Sequence, residues 1–469
     1  MTQNPVYNPK FELFKRVAMG KNIGVLGIGV SNLPIIKFLN GLGAYVTAFD
    51  RRTADKFDEE TLEMLKENTK NLILGDDYLD RLDGMDILIK TPGIHPGTPQ
   101  LVQAAQKGVY VTSEMEIFLS ACPCKTIGIT GSDGKTTTTT LIYEILTADG
   151  YNCHIGGNIG KPLLSNIEFM DPDDIVILEL SSFQLQSMEY SPDVAVITNI
   201  SPNHLDYHKD MNEYINAKKN IFLHQNVSGK LVLNMENGIT DSFDNEASGE
   251  VMKFSLRNKP GHGAYIYRGK IYFDDDPIMS VSDIKLPGEH NVDNYLAAIC
   301  AVHGMVDTAS ILKVARTFGG VPHRLELIRE YKGVKFYNDS IASSPTRTAA
   351  GLKSFDKKVI LIAGGYDKKI PFDGFGEIVV DKTKALILIG ATANKIRCEV
   401  EETLKRRGEN EPIIGCDTLE EAVNSAFALA DAGDIVLMSP ACASFDMFKN
   451  FEERGNAFKN TVALLGTEE

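Results

Sequence analysis

The chain has 469 residues, 43% hydrophobic and 24% charged, the composition of an ordinary folded protein of about three domains. Its net charge of −15 excludes the basic surface that nucleic acid requires, but not small acidic substrates held by a few local cations. Seven scattered cysteines read as reduced thiols, the N-terminal MTQNPVYNPKFELFKR lacks an apolar signal core, and no run approaches a membrane span, so a soluble cytoplasmic protein without a membrane partner is expected.

Short apolar runs, closed by glycine, proline or a polar cluster, recur at 23–29, 86–93, 125–131, 174–180, 194–200, 358–365, 384–391 and 434–440. Runs apolar on both faces suit parallel strands covered by helices. Helical patterns fall between them, such as TTTTLIYEILTADG, with Gly150 as a C-cap, and LEEAVNSAFALADAGD. The alternation predicts an α/β protein in three blocks, 1–118, 119–320 and 321–469. Cys122-Pro123-Cys124 reads as the turn between the first two, because no second pair follows at zinc-site spacing. Between about 230 and 285, short alternating pieces such as GAYIYRGKIYFDD predict an antiparallel hairpin in or beside the second block.

In the first block, Gly24-Val25-Leu26-Gly27-Ile28-Gly29-Val30-Ser31-Asn32 resembles a dinucleotide loop, with a second strand ending at Asp50. Asn32 stands where the third glycine belongs. A nucleotide or nucleotide-sugar phosphate site, a redox dinucleotide site and a purely structural turn all stay open here. Thr91-Pro92-Gly93, at the next strand end, would add backbone donors to the same cleft.

The second block carries the sharpest signal. A buried strand, TIGIT, runs into Gly131-Ser132-Asp133-Gly134-Lys135-Thr136-Thr137 and then a helix. Loop amides and the helix dipole would face phosphate, Lys135 would reach the terminal phosphates, and the Thr136 hydroxyl would ligate Mg²⁺. Glu179 ends another buried strand, where a Mg²⁺ ligand is wanted; the bland alternative is a carboxylate with a buried cation. His204 follows the next strand and reads as a metal ligand or an orienting group, against the commoner structural histidine. Asn291 and Asn294 lie just inside a helix and suit nucleotide contacts, with capping as their alternative.

Nine segments, in order, resemble the Mur ligases: GSDGKTTT, GGNIG, LELSSFQL, NHLDYH, GEHNVDN, PHRLE, NDS, GGYDKK and SPACASFDMFKNFEERG, spanning about residue 20 to 455. The last is similar to the D-glutamate-adding branch. The resemblance implies a Rossmann-like N-terminal domain and a central P-loop ATPase-like domain with a parallel sheet plus a small antiparallel sheet. A C-terminal Rossmann-like domain would complete the fold. It also implies a monomer using ATP and two Mg²⁺ to join UDP-N-acetylmuramoyl-L-alanine to D-glutamate.

Residue by residue, the resemblance implies that Val30, Ser31, Arg52, Thr91 and Gly93 hold the UDP moiety, with Asn158, Ser181 and Gln184 on the same substrate. Gly131, Ser132, Asp133, Gly134, Lys135, Thr136, Thr137, Asn291, Arg324 and Asp339 would hold ATP. Thr136, Glu179, His204 and Lys218 would serve the metal ions, Lys218 as the lysine this family carbamylates. From its own context Lys218 reads as a solvated helix residue, as does Lys219. Lys368, Ser343, Ser444 and Phe451 would hold D-glutamate. The family's Lys-Ala-Thr after Asn-Asp-Ser is Ile341-Ala342-Ser343 here, which leaves Ser344 or Arg347 to compensate.

The implied chemistry is γ-phosphoryl transfer to the alanyl carboxylate, then amine attack on the acyl phosphate, with His204 a candidate base and closure of the third block required. Rival readings are a Mur or folylpolyglutamate-type ligase for another amino acid, a nicotinamide-dependent oxidoreductase and a non-catalytic nucleotide switch.

Overall fold

A computed structural model describes residues 5–29, 31–204, 207–286, 288–367 and 371–466; Val30 and Lys368, two expected binding residues, lie outside them. The chain divides between Phe318 and Gly319 into two compact units. No helix among the described residues is long and apolar enough to cross a membrane.

The first unit holds two sheets. Strands β1 (Asn22–Leu26), β2 (Tyr45–Asp50), β3 (Asn71–Leu74), β4 (Ile87–Lys90) and β5 (Tyr110–Thr112) form a parallel sheet in the order β3-β2-β1-β4-β5. Strands β6 (Lys125–Thr130), β7 (Cys153–Gly157), β8 (Ile175–Glu179), β9 (Val194–Ile197), β10 (Lys230–Asn234) and β11 (Glu250–Ser255) belong to a second sheet. So do β12 (Gly263–Tyr267), β13 (Lys270–Phe273) and β14 (Asp276–Ser280), in the order β14-β13-β12-β11-β10-β9-β6-β8-β7. The antiparallel strands expected over 230–285 are β12 to β14, and they extend the edge of this nine-stranded sheet. Pairing stays parallel through β11 and β12, so the antiparallel part continues the main sheet.

One apolar core serves both sheets, running from Ile23 and Val25 of β1 through Phe118 to Leu178 of β8 and Ile197 of β9. Two helices join them. Asn8 caps the helix Pro9–Ala18 by accepting from Lys10 N and Phe11 N, both at 3.1 Å, and its Nδ2 donates to the Ala121 carbonyl at 2.8 Å. Ala121 closes the helix Glu114–Ala121, and Cys122 and Cys124 follow as buried free thiols.

Glu114 on that helix is buried, and burial pushes its carboxyl up to about 7, against the backbone donors of Leu164 and Leu163. A folded pKa above the unfolded value of 4.5 means that stability falls as pH rises from 4.5 to about 7. Glu114→Gln, which still accepts from Leu164 N, should therefore exceed the parent by roughly 1–3 kcal/mol at pH 8 and match it near pH 4.5. Thermal unfolding at the two pH values measures this, and an equal shift at both would refute the linkage.

The second unit has one sheet, from β15 (Glu326–Tyr331), β16 (Val334–Asn338), β17 (Val359–Gly364), β18 (Thr383–Ile389), β19 (Ile413–Gly415) and β20 (Ile435–Met438). Its order is β15-β16-β20-β17-β18-β19, parallel except for the β15–β16 hairpin. Alternate residues of β17 and β18 supply separate cores, Ile360 and Ile387 to one, Leu361 and Leu386 to the other. Each face is thus covered by its own helices, as the doubly apolar runs require.

Candidate active site

Strand β6 delivers the chain into the glycine loop at the start of the helix Lys135–Ala148. Gly134, at the N-cap, has φ +78°, and a Cβ there would lie 2.4 Å from Asn294 Oδ1. A Cβ on Gly131 would meet Thr198 Oγ1 at 1.9 Å. Both positions therefore exclude a side chain, which lets Asn294 and Thr198 close on the loop backbone. Ser132 N donates to Asn199 O at 2.8 Å, Asp133 N to Asn199 Oδ1 at 3.0 Å, and Thr198 Oγ1 to Asp133 O at 2.6 Å. The end of β9 thus shapes the loop.

Lys135 Nζ folds back over the loop and donates to the carbonyls of Gly131 and Ser132, both at 2.9 Å. Lys218, on the helix Met211–Leu223, reaches the same place: its Nζ donates to Gly131 O at 2.8 Å and Thr130 Oγ1 at 3.2 Å. Lys218 is only 2% exposed. Burial pushes its pKa well down, the charge of Lys135 adds to this, and Glu179 and Asp133 oppose it. The reading of Lys218 as a solvated helix residue is thereby corrected, because the helix turns it into the sheet. Lys219, one residue on, is half-buried, lies over the Phe243 ring at 4.8 Å and pairs with Glu246 Oε1 at 2.5 Å.

Glu179, at the end of β8, is 1% exposed. A Cβ on Gly157 would lie 2.2 Å from Glu179 O, so glycine there lets β7 close on β8 and brings Asn158 Nδ2 to Glu179 Oε1 at 2.7 Å. Glu179 Oε2 is buried with no hydrogen-bond partner. An orphaned carboxylate oxygen beside a phosphate loop fits a hard divalent cation held jointly with phosphate oxygens. Among the described residues no group of three or more His, Cys, Asp or Glu side chains is assembled, which such a shared cation does not need.

His204 is exposed, holds a left-handed φ of +53°, and packs its ring edge-on to Phe183 at 4.9 Å. Behind it, His208 is buried, with Nε2 against Ser182 Oγ at 2.9 Å and Nδ1 without a hydrogen bond, 3.9 Å from Glu213 Oε2. Tyr207 donates its hydroxyl to Pro92 O at 3.1 Å, which ties this segment to the Thr91-Pro92-Gly93 turn. Ser181 and Gln184 satisfy each other in a capping box, Ser181 N donating to Gln184 Oε1 at 3.0 Å and Gln184 N to Ser181 Oγ at 3.2 Å.

Asn291 and Asn294 lie on the helix Glu289–Val302, where Asn294 Oδ1 accepts from Thr138 Oγ1 at 3.2 Å. In the first sheet, Asn32 Nδ2 donates to Leu26 O and Gly27 O, both at 3.0 Å, stiffening the turn where a glycine was the expectation. Arg52 is bidentate on Asp50, through Nε and Nη2 at 3.0 Å each. Burial raises the Asp50 pKa, and hydrogen bonds from Arg52 and Ile28 overcome it and hold the carboxyl below its ordinary value. Ser31 and Thr91 are half-buried and Gly93 is exposed, in the turns that follow β1 and β4.

In the second unit, Asp339 Oδ2 accepts from Ser439 Oγ at 2.6 Å and Oδ1 from Leu325 N at 3.3 Å. Burial raises its pKa to about 6, against those donors and the charges of Arg324 and Arg347. Ser343 joins Tyr366, Thr392, Ala441, Cys442 and Ala443 around a small cleft. Ser444 is buried next to it, and Phe451 opens the final helix, Phe451–Leu464, with its ring 5.9 Å from that of His323. Of the suggested compensating groups, Arg347 Nη1 donates to Ile341 O at 3.4 Å and Ser344 Oγ pairs with Thr346 Oγ1 at 3.1 Å.

Sequence reasoning missed Arg454, which is 1% exposed. Its guanidinium donates to the carbonyls of Ser340, Cys442 and Ala443 at 2.9, 3.0 and 3.0 Å and fastens the cleft's two loops. Only its place inside SPACASFDMFKNFEERG signalled it.

These features define an ATP-using ligase architecture, and the chain belongs to the Mur ligase family. Residues 21–113 match the Mur ligase MurD-like N-terminal domain, 129–302 the Mur ligase middle domain, and 323–442 the Mur ligase glutamate ligase domain. A protein of Clostridium kluyveri named UDP-N-acetylmuramoylalanine--D-glutamate ligase is 55% identical over 96% of this chain and 98% of its own length. Proteins of that name from Acetivibrio thermocellus and Clostridium botulinum are 54% and 53% identical, each over 97% of this chain and 99% of theirs. Among solved structures, UDP-N-acetylmuramate-alanine ligase MurC from Thermotoga maritima shares the fold at TM-score 0.54 and 17% identity, over 96% of this chain and 100% of that one.

Proposed function

We propose that the protein is the ATP-dependent ligase that adds D-glutamate to UDP-N-acetylmuramoyl-L-alanine in peptidoglycan precursor synthesis. The observation that carries this reading is identity of 53–55% across nearly the whole chain to ligases of that name. The loop at Lys135, with buried Lys218 and Glu179 beside it, supplies the matching chemistry.

In this reading 1–118, 119–320 and 321–469 are the working domains of a cytoplasmic monomer. Gly131, Ser132, Asp133, Gly134, Thr137 and Asn291 bind ATP, and Ser31, Arg52, Thr91, Gly93, Ser181 and Gln184 bind the UDP substrate. Lys135 neutralises charge on the transferring γ-phosphoryl group as the alanyl carboxylate attacks phosphorus and ADP leaves. Thr136, Glu179, His204 and carbamylated Lys218 would hold two Mg²⁺ ions, which neutralise phosphate charge when bound. Asn158 and His204 orient the alanyl carboxylate. The D-glutamate amine then attacks the acyl carbon and phosphate leaves; His204 takes the amine proton only in place of holding metal, since one imidazole has a single acceptor nitrogen. Arg324 and Asp339 serve the nucleotide from the second unit, and Ser343, Ser444 and Phe451 the amino acid.

A phosphate-release assay with UDP-N-acetylmuramoyl-L-alanine and a panel of D- and L-amino acids tests the assignment. D-glutamate should be the best acceptor by a wide margin, and preference for any other amino acid would overturn it.

A further inference from the structure

We propose that a cavity of about 470 Å³ beside β4 binds a small organic anion with an apolar body, an aromatic or branched carboxylate or sulfonate, through the ammonium of Lys90. Val102 and Ala105, of the helix Pro99–Gln106, and Val111 of β5 supply apolar lining, and Ser187 and Glu189 supply polar lining. Lys90, the last residue of β4, is 2% exposed, and among the described residues its ammonium has no hydrogen bond and no ion pair within 4 Å.

A buried cation with no direct hydrogen bond or ion pair is costly, and Lys90, with only the charge of Glu116 acting on it, lines the open cavity. Burial pushes its pKa to about 8, opposed by the charge of Glu116. Glu116 is occupied elsewhere, accepting from Thr112 Oγ1 at 2.7 Å and Glu189 N at 3.0 Å. The exposed carboxylate of Glu189 lies at the rim and would repel an outward-facing anionic head. A ligand is therefore oriented with its charge inward on Lys90 and its apolar body along Val102 and Ala105.

The cavity is separate from the nucleotide loops. Side chains alternate along β4. Ile89 enters the core shared by the two sheets, whereas Leu88 packs with Leu101 and Ala104, and Lys90 follows the face of Leu88. Thr91 turns the other way, its Cγ2 lying 2.7 Å from where a Cβ on Gly27 would sit.

Fluorescence titration of the full-length protein with 8-anilinonaphthalene-1-sulfonate tests the site. One saturable site is expected, weakened at least tenfold by Lys90→Met, retained in Lys90→Arg and blocked by the cavity-filling Ala105→Trp. Thermal unfolding establishes that each variant is folded, and if Lys90→Met is not, Ala105→Trp decides. Saturating UDP should leave the probe bound. Equal affinity in the parent and a folded Lys90→Met or Ala105→Trp protein, absence of saturable binding, or displacement by UDP would each overturn the proposal.

Discussion

Lys135→Ala should lower D-glutamate-dependent ADP formation by at least about a thousandfold, the scale on which a cation at a transferring phosphoryl group acts. The side chain starts at the first residue of a helix and ends over the loop, where it donates to Gly131 O and Ser132 O at 2.9 Å. Those carbonyls anchor the amine where phosphate charge would develop. The structural cost of the change is small. Lys135 is half-buried, and alanine is a good helix former at that position. Circular dichroism and the melting temperature should therefore stay close to the parent while turnover collapses. Near-normal ADP release would end the assignment of this loop to phosphate.

The second large effect concerns Lys218. Lys218→Met should cut turnover by about 10²–10³-fold and leave stability unchanged or raised. The parent buries an amine at 2% exposure close enough to Lys135 for their charges to repel. Methionine fills similar volume without that desolvation cost and gives up the bonds to Gly131 O and Thr130 Oγ1. A merely structural lysine would lose stability together with activity, so the two readouts separate the roles. The low pKa also favours the neutral amine, the form that attacks carbon dioxide to give a carbamate and release a proton. Labelled bicarbonate should give a carbamate resonance in the parent and none in the variant. A fully active Lys218→Met protein would remove Lys218 from the mechanism.

The glycine loop was legible because its determinants are local. Strand, glycines, lysine and helix follow one another, and the doubly apolar runs at 125–131 and 174–180 became β6 and β8. Ser181 and Gln184 entered only through the resemblance, as residues on the substrate, and the capping box they form went unread. Lys218 and Lys219 look alike in sequence, and only the helix packing decides which is buried. Arg52 likewise entered only through the resemblance, as a residue holding UDP, and its engagement with Asp50 required knowing that two nearby residues turn toward each other. Arg454 and Lys90 were invisible for the same reason, since burial of a charged side chain is a property of neighbours distant in sequence.

The apolar core that runs from β1 to β8 and β9 has a thermodynamic consequence. Ile28, in the first glycine loop, and Leu180, beside Glu179, belong to the same packed cluster, so the cores of the two sheets are one. A molecule that binds only the folded form at either sheet therefore stabilises the core that both depend on.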